Sequence, residues 1–307
     1  MAGNTKFKEN IIKKLYAKYD ISKHEKEMFK FIGINITQGK DKVTLDQYDY
    51  IRSVKTVQVK DKDKERDLTP AETTDYRSLL GKLQWIAGVS RPDIKFDVYL
   101  CSRVGKTPKI RNLLELNKIV SRVSSEEKYI VYPKLDLKSK LRLLVYCDAS
   151  FKNLDSKVNS GRGYVIFLNS GPQVCVLAWN AGKTNTVCTS VLASESLAMK
   201  DAVSHSIWLR AILVEALFGR NSEMSLLDII VLTDSKQLYS NLYSTKYVSD
   251  HALRLVTESL KDKMAKGEIA EVRHVTSDEQ LADCLTKSGV NTFKLDSILM
   301  CGRHNVM

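Results

Sequence analysis

The sequence predicts an α/β fold over residues 141–290, a mixed five-stranded sheet with helices, on three observations. Residues 141–147 form an apolar run rich in Leu and Val, which is typical of a buried strand. Residues 162–168 and 174–179 are apolar segments joined by the turn sequence Asn-Ser-Gly-Pro, which indicates an antiparallel hairpin. A long helical pattern over residues 190–218 then leads to a further buried strand. The predicted order is β-β-β-α-β-α-α-β-α.

Residues 1–125 are predicted to form a smaller α+β unit ahead of this domain. Apolar residues recur at helical spacing between lysines near the N-terminus, so a basic amphipathic helix is expected over residues 7–19. A strand over residues 28–36 is expected to pair with residues 43–45 as a β-hairpin. Residues 55–67 mix charges with few apolar side chains, which favours a solvated loop.

Two Thr-Pro pairs predict where helices of this unit begin. Thr69 precedes a proline and lies three residues before Glu72, which is the pattern of a capping box. Thr107 also precedes a proline and is expected to cap a later helix. Residues 126–140 are predicted to be a linker and residues 291–307 a tail.

Charge and cysteine usage narrow the classes of function. The 307 residues include 48 Lys and Arg against 36 Asp and Glu, a formal net charge of +12. Nucleic acid is therefore an expected partner, although solvated Lys and Arg faces explain the same balance. The six cysteines include no Cys-x-x-Cys pair, so neither a zinc site nor a disulfide scaffold is expected. With no signal peptide or bilayer-spanning segment apparent, we expect a cytoplasmic or nuclear location and no membrane partner.

Four acidic residues occupy comparable places in the predicted order of elements. Asp148 and Asp234 each end a buried strand, whereas Glu195 and Asp283 are expected on helices. Each has a structural alternative. Asp148 can open a turn, Glu195 can complement a helix dipole from the first turn, and Asp234 can cap a helix. Asp283 can pair with Lys287 one helical turn later.

Taken together, the four acids predict a metal site at one edge of the sheet. Carboxylates brought close together repel one another and raise each other's pKa unless a cation neutralises them. Mg²⁺ prefers carboxylate oxygens, and a pair of such ions, for which Mn²⁺ can substitute, stabilises both oxygens of a phosphodiester displacement. The sequence therefore predicts metal-dependent hydrolysis of nucleic acid.

The segments around the acids read Tyr-Cys-Asp148-Ala-Ser, Ala-Ser-Glu195-Ser-Leu-Ala, Leu-Thr-Asp234-Ser and Gln-Leu-Ala-Asp283-Cys-Leu-Thr-Lys. With them, residues 141–288 resemble the RNase H domain of a copia-type LTR retrotransposon polyprotein. The last of these motifs is the most specific. The resemblance implies an RNase H-like fold in which the four acids bind two Mg²⁺ ions and the RNA strand of an RNA·DNA hybrid is cleaved.

Roles for the acids also follow from this resemblance. Asp148 is expected to bridge the two ions, Glu195 and Asp234 each to hold one side, and Asp283 to be the more mobile fourth ligand. The alternative is a non-catalytic nucleic-acid-binding remnant or a protein adopted by its host.

The preceding segment resembles the end of the reverse transcriptase of the same polyprotein. The motifs are Phe31-Ile-Gly-Ile-Asn-Ile, Tyr76-Arg-Ser-Leu-Leu-Gly and Ser90-Arg-Pro-Asp-Ile. The family's polymerase carboxylates lie upstream of this segment, so no reverse-transcriptase activity is expected from this chain alone. The rest of the reverse transcriptase is an expected partner, and without it we expect exposed apolar surface in this segment.

Four basic residues are candidate contacts with nucleic acid. Arg162 and Lys183 lie near the predicted hairpin, and Arg254 and Lys261 lie in the helical segment after the third acid. Ordinary solvated charge is the alternative for each. Where many members of the family carry basic residues, this chain has Ser249-Asp-His-Ala-Leu, and Arg254, Lys261, Lys263 and Lys266 are expected to compensate.

Four aromatic residues are assigned structural rather than functional places. His274 is expected at the end of a strand, although some RNase H domains use a histidine in the loop before the fourth acid to release product. Trp179, Trp208 and Tyr164 are expected in the core rather than stacked on bases.

Overall fold

The computed structural model of this chain contains two β-sheets and the helices that cover them. The described residues are 5–20, 27–59, 61–151, 160–184 and 186–305. Four short strands form an antiparallel sheet, and five strands, four of them longer, form a mixed sheet. None of the helices in this part of the chain combines the length and hydropathy that crossing a bilayer requires.

The N-terminal unit comprises the described residues up to 133. Its strands, in sheet order, are β1 (Met28–Phe31), β2 (Ile34–Gln38), β3 (Lys42–Asp46) and β4 (Ile130–Pro133). Its helices are α1 (Thr5–Lys18), α2 (Tyr48–Ser53), α3 (Pro70–Val89), α4 (Lys95–Ser102) and α5 (Ile110–Ser125). Helices α2 to α5 enclose a core of their own. The segment predicted to be a linker therefore supplies the fourth strand of this sheet, and the domain boundaries remain predictions.

The prediction of one strand over residues 28–36 was wrong, because the chain reverses within it. Ile32 and Gly33 have positive φ angles of 49° and 75°, so they form the turn between β1 and β2. An unbroken apolar pattern conceals such a turn. Met28, Phe31 and Ile32 are 72%, 59% and 65% exposed, which confirms the apolar surface expected on this segment.

One of the two predicted helix starts is confirmed. Thr69 Oγ1 accepts a hydrogen bond from the Glu72 amide, and a Glu72 carboxylate oxygen accepts from the Thr69 amide, so the capping box is present. Thr107, by contrast, caps no helix. Lys109 is held in a β-bridge, so α5 begins only at Ile110.

The larger sheet has the strand order that the predicted topology requires. Its elements are β5 (Leu141–Ser150), β6 (Gly161–Ser170), β7 (Gln173–Lys183), α6 (Val191–Phe218), β8 (Leu227–Thr233), α7 (Lys236–Tyr243), α8 (His251–Ala265), β9 (Glu271–His274) and α9 (Phe293–Cys301). The spatial order is β7-β6-β5-β8-β9, antiparallel from β7 to β5 and parallel from β5 to β9. The mixed five-stranded sheet with helices is confirmed.

Both faces of this sheet are covered. Leu143 and Val145 of β5 belong to the core beneath α6, α7 and α8, while Tyr146 belongs to a second core on the opposite face. That second core includes residues of α9 together with Phe96 of α4 and Ile130 of β4. The N-terminal unit and the predicted tail therefore help to bury the sheet that carries the acids.

Candidate active site

Two of the predicted acids lie at the carboxyl ends of adjacent parallel strands. Tyr146 of β5 pairs with Leu232 of β8 as the last pair of that ladder. Asp148 and Asp234 each lie two residues beyond this pair, and Asp148 is only 2% exposed. The end of a parallel ladder is where an α/β sheet usually binds its ligands, so the place of these acids agrees with the prediction.

Glu195 reaches the same edge from α6. The helix begins at Val191 with Ser190 as its cap, so Glu195 lies in the second turn rather than in the predicted first turn. It is therefore past the free amides of the helix start, and the helix dipole does not explain it. The Glu195 carboxylate accepts a hydrogen bond from the Ala149 amide and is 6% exposed.

The buried acids act on one another electrostatically. Burial raises the pKa of Glu195, and the negative charges of Asp148 and Asp234 raise it further. Burial also raises the pKa of Asp148; Lys287 and a hydrogen bond from Thr286 oppose the rise, whereas Asp283 and Asp234 add to it. Asp148 and Glu195 are thus buried acids whose charges are incompletely balanced.

Asp234 is not the cap of the helix that follows it. Ser235 is that cap, because its hydroxyl accepts from the amide of Leu238. Asp234 instead accepts through Oδ2 from the Ser277 hydroxyl at 3.1 Å, and its backbone carbonyl lies 3.1 Å from Nε2 of His274. His274 ends β9, as the structural interpretation predicted.

The fourth acid lies on a 3-10 turn rather than on the predicted α-helix. This turn, Asp283–Leu285, is held by two flanking polar residues. Gln280 Nε2 donates to the Cys147 carbonyl at 3.0 Å, and the Thr286 hydroxyl donates to Asp148 Oδ2. These two bonds place the turn against the end of β5.

Lys287 follows directly and contacts two of the acids. Its Nζ lies 2.5 Å from Asp283 Oδ1 and 3.8 Å from Asp148 Oδ2. The structural alternative for Asp283, a pair with Lys287, is therefore present together with the predicted approach to Asp148.

Gly163 makes room for this arrangement. It is paired with Asp148 across β5 and β6. A Cβ at this position would lie 2.6 Å from Leu285 Cβ and 2.9 Å from Thr286 Cγ2, closer than side chains tolerate. Sequence analysis did not find Gly163 or Thr286 as site residues. A glycine within an otherwise apolar strand pattern is the signal of such close packing.

The four carboxylates form a donor set of the chemistry that Mg²⁺ prefers, and their unbalanced charge suits a cation. Across the described ranges, however, no group of three or more His, Cys, Asp or Glu side chains is arranged so that it could hold a metal ion. The four carboxylates therefore suit a divalent cation by their chemical type and their charge. In this structure, however, Asp283 is paired with Lys287.

The four candidate nucleic-acid contacts differ in how they are engaged. Arg162 is ion-paired with Asp201, and Lys261 donates to the Ser244 carbonyl at 2.9 Å. Arg254 and Lys183 are exposed, and the Arg254 guanidinium lies 4.0 Å from the centre of the Tyr247 ring.

The structure explains part of the unusual segment before Arg254. Asp250 is the N-cap of α8, because its carboxylate accepts from the amide of Leu253.

The core assignment is wrong for one of the aromatic residues. Trp208 is 59% exposed on α6, where its ring contacts His205. Tyr164 is buried, and Trp179 is half-buried with its indole N–H donating to the Ala87 carbonyl. Helical spacing alone does not distinguish the edge of an apolar stripe from its centre.

No family model matches the sequence. A transposon Ty5-1 protein of Saccharomyces cerevisiae is 29% identical over 189 residues, which are 57% of this chain and 58% of the yeast protein. This similarity agrees with the retrotransposon resemblance that the sequence motifs indicate. The chain spans little more than half the length of its yeast relative. It is also 26% identical over 134 residues to a secreted RxLR effector protein of Plasmopara viticola, covering 90% of that protein.

Solved structures align with this chain at low identity. RNase H1 from Halobacterium salinarum is 19% identical with a TM-score of 0.31, over 47% of this chain and 93% of that one. The foamy viral protease-reverse transcriptase in complex with an RNA/DNA hybrid is 15% identical with a TM-score of 0.48, over 95% of this chain and 36% of that one. The strand order and directions of the larger sheet are RNase H-like.

Proposed function

We propose that this chain, as part of a copia-type Pol polyprotein, is an RNase H-type endoribonuclease that hydrolyses the RNA strand of RNA·DNA hybrids. Asp148, Glu195, Asp234 and Asp283 would hold two Mg²⁺ ions. The observation that carries the proposal is the pair of buried acids Asp148 and Glu195 at the end of two parallel strands, whose pKa values are raised by burial and further by the nearby charge of Asp234. Buried acids with raised pKa values lack a compensating positive charge, and a hard divalent cation supplies one.

The side chains have separable tasks in this proposal. Thr286 orients Asp148 through its hydroxyl, and the Ala149 amide orients Glu195. Both bonds leave further carboxylate oxygen lone pairs for a cation. When bound, the ions would stabilise the attacking and leaving oxygens of the phosphodiester.

The proposed contacts with the hybrid are Lys183, Arg254, Arg162 and Lys261. Lys183 and Arg254 present exposed positive charge, so they are the first expected to meet a phosphate. Contacts of this kind release counterions, and binding of the hybrid is therefore expected to weaken as salt is raised.

The test is cleavage of an RNA·DNA hybrid labelled on the RNA strand, in Mg²⁺ and in EDTA. The full chain is used, because α4, β4 and α9 contribute to the core of the larger sheet. Asp148→Asn and Asp234→Asn are compared with wild type. The matched control is Glu115→Gln, which alters an exposed acid paired with Lys118 on α5.

We expect Mg²⁺-dependent cutting of the RNA strand by wild type and by Glu115→Gln. The cleavage rate of both aspartate variants is expected to fall at least about 100-fold, because these residues would hold the ions that stabilise the transition state. Hybrid binding without cutting by wild type would contradict the proposal and favour a non-catalytic binding protein. Cutting that persists in Asp148→Asn would place the activity elsewhere.

A further inference from the structure

Lys287 occupies a position between two of the acids. Its ammonium group contacts Asp283 at 2.5 Å and approaches Asp148 at 3.8 Å. The Asp148 side chain is 3% exposed, whereas that of Lys287 is 40% exposed. The positive charge therefore enters a buried acidic site from its solvent side.

The fold places Lys287 there through its neighbour in the chain. Thr286 is fully buried and bound to Asp148, and its hydroxyl also lies 3.1 Å from the Asp283 carbonyl. The next residue therefore emerges directly beside both carboxylates. Because the Lys side chain is long and flexible, its ammonium group can leave toward solvent without disturbing that turn.

We infer that Lys287 is the resident counter-cation of the acidic site, holding Asp283 toward Asp148 until a divalent cation displaces its ammonium group. This inference rests on the proposed function, because it assigns the same carboxylates to metal. Lys287 is then a positioning residue that competes with the metal, rather than a catalytic residue. This role of Lys287 also explains why the four carboxylates, all within the described residues, are not arranged as a group that could hold a metal ion in this structure.

Competition has two consequences of opposite sign. Without metal, removal of the ammonium group leaves Asp148 and Asp283 facing each other with less compensation, so the folded protein becomes less stable. With metal, the same removal frees the carboxylates, so affinity for the metal rises. A residue that merely supported the fold would lower both stability and affinity when removed.

The experiment measures Mg²⁺ and Mn²⁺ affinity by calorimetry, and thermal unfolding in EDTA, on the full chain. The variants are Lys287→Met, which removes the charge, and Lys287→Arg, which keeps it. Lys266→Met is the matched control, because Lys266, the C-cap residue of α8, pairs with Asp262 at the same four-residue spacing at 2.7 Å.

We expect Lys287→Met to bind metal about 1.5- to fivefold more tightly than wild type, the range for loss of one partly exposed ion pair. We also expect it to unfold at a lower temperature in EDTA. Lys287→Arg is expected to recover the EDTA stability and not to gain affinity, and Lys266→Met to match wild-type affinity.

Three results would overturn the inference. Weaker or equal metal binding by Lys287→Met, with wild type binding normally, would reject competition and leave the proposed function intact. Unchanged EDTA stability of Lys287→Met would reject the counter-cation role. Absence of metal binding by wild type and by every variant would overturn the proposed function, and this inference with it.

Discussion

Two buried charge clusters in this protein are balanced in opposite ways. In the first, Arg91 donates two hydrogen bonds to Asp93 at 2.9 and 2.8 Å, and Lys128 bridges Asp93 and Asp296. Burial alone would raise the pKa of Asp93, but Arg91 and Lys128 hold it below its ordinary value. In the second, around Asp148, burial and neighbouring acids prevail and the pKa is raised.

The difference separates an ionic cluster that is complete from one that needs a further cation. Arg91 and Asp93 satisfy each other within the fold, so they need no ligand. Of the two acids that Lys128 bridges, Asp296 at the margin of the cluster is the one with a raised pKa, through burial and the charge of Asp93. The acid edge is the end of the larger sheet at which Asp148, Glu195, Asp234 and Asp283 lie. There, Lys287 supplies one positive charge to several carboxylates. Unequal compensation of this kind is typical of functional sites.

The largest effect is expected from breaking the complete cluster. Arg91→Met leaves Asp93 buried without its bidentate partner, so we expect a loss of about 3–5 kcal/mol in the free energy of unfolding. Urea unfolding followed by circular dichroism measures it. The control is Arg52→Met, since the Arg52–Glu127 pair is 67% exposed at both side chains, and it should change stability by less than about 1 kcal/mol. Equal effects of the two variants would contradict the contrast drawn above.

The second prediction places matched variants in the two clusters. In EDTA at neutral pH, Asp93→Asn should lower the free energy of unfolding by about 2–4 kcal/mol, because it breaks a buried pair. Asp148→Asn should leave it unchanged or raise it by about 1 kcal/mol. An acid whose folded pKa is raised stabilises the protein at low pH and loses that contribution as pH rises, so its charged form is unfavourable at neutrality.

Thermal unfolding of both variants with and without Mg²⁺ measures this contrast. Mg²⁺ should stabilise wild type and Asp93→Asn and have little effect on Asp148→Asn. A large loss of stability in Asp148→Asn in EDTA would instead make Asp148 a structural residue.

The sequence was sufficient for those features that depend on local pattern. The apolar run ending at Asp148 and the helical pattern that begins near residue 190 became β5 and α6. Patterns did not reveal the turn at Gly33, because a glycine inside an apolar run is compatible with a strand. The sequence patterns also predicted that Asp283 lies on an α-helix, because a short 3-10 turn and the first turn of an α-helix have similar composition.

The acidic residues of the site could be predicted from the sequence, but the hydrogen bonds and ion pairs that connect them could not. Strand-terminal acids can be found in a sequence, and their expected edge of the sheet is confirmed for Asp148 and Asp234. The hydroxyl of Thr286 and the ammonium group of Lys287 reach Asp148 across more than 100 residues of chain. Such long-range contacts depend on how the final turn packs on Gly163, which no local pattern specifies.

The smallest predicted effect concerns a half-buried base that depends on remaining neutral. His304 lies with Nε2 2.6 Å from the Tyr146 hydroxyl, and burial lowers its pKa. A base with a lowered folded pKa takes up protons more readily when unfolded, so the protein loses stability as pH falls through about 6.5, the ordinary histidine value. His304→Gln keeps a polar group there and removes this proton uptake.

The measurement is the shift in melting temperature between pH 7.5 and pH 5.5. Between these pH values the melting temperature of wild type should fall further than that of His304→Gln, by about 1 °C to a few degrees. This difference corresponds to less than about 1 kcal/mol in the free energy of unfolding. Identical shifts would mean that His304 accepts its proton without loss of its contact. In that case the stability of the protein would depend on uncompensated charge only at the acid edge, where such charge favours metal binding.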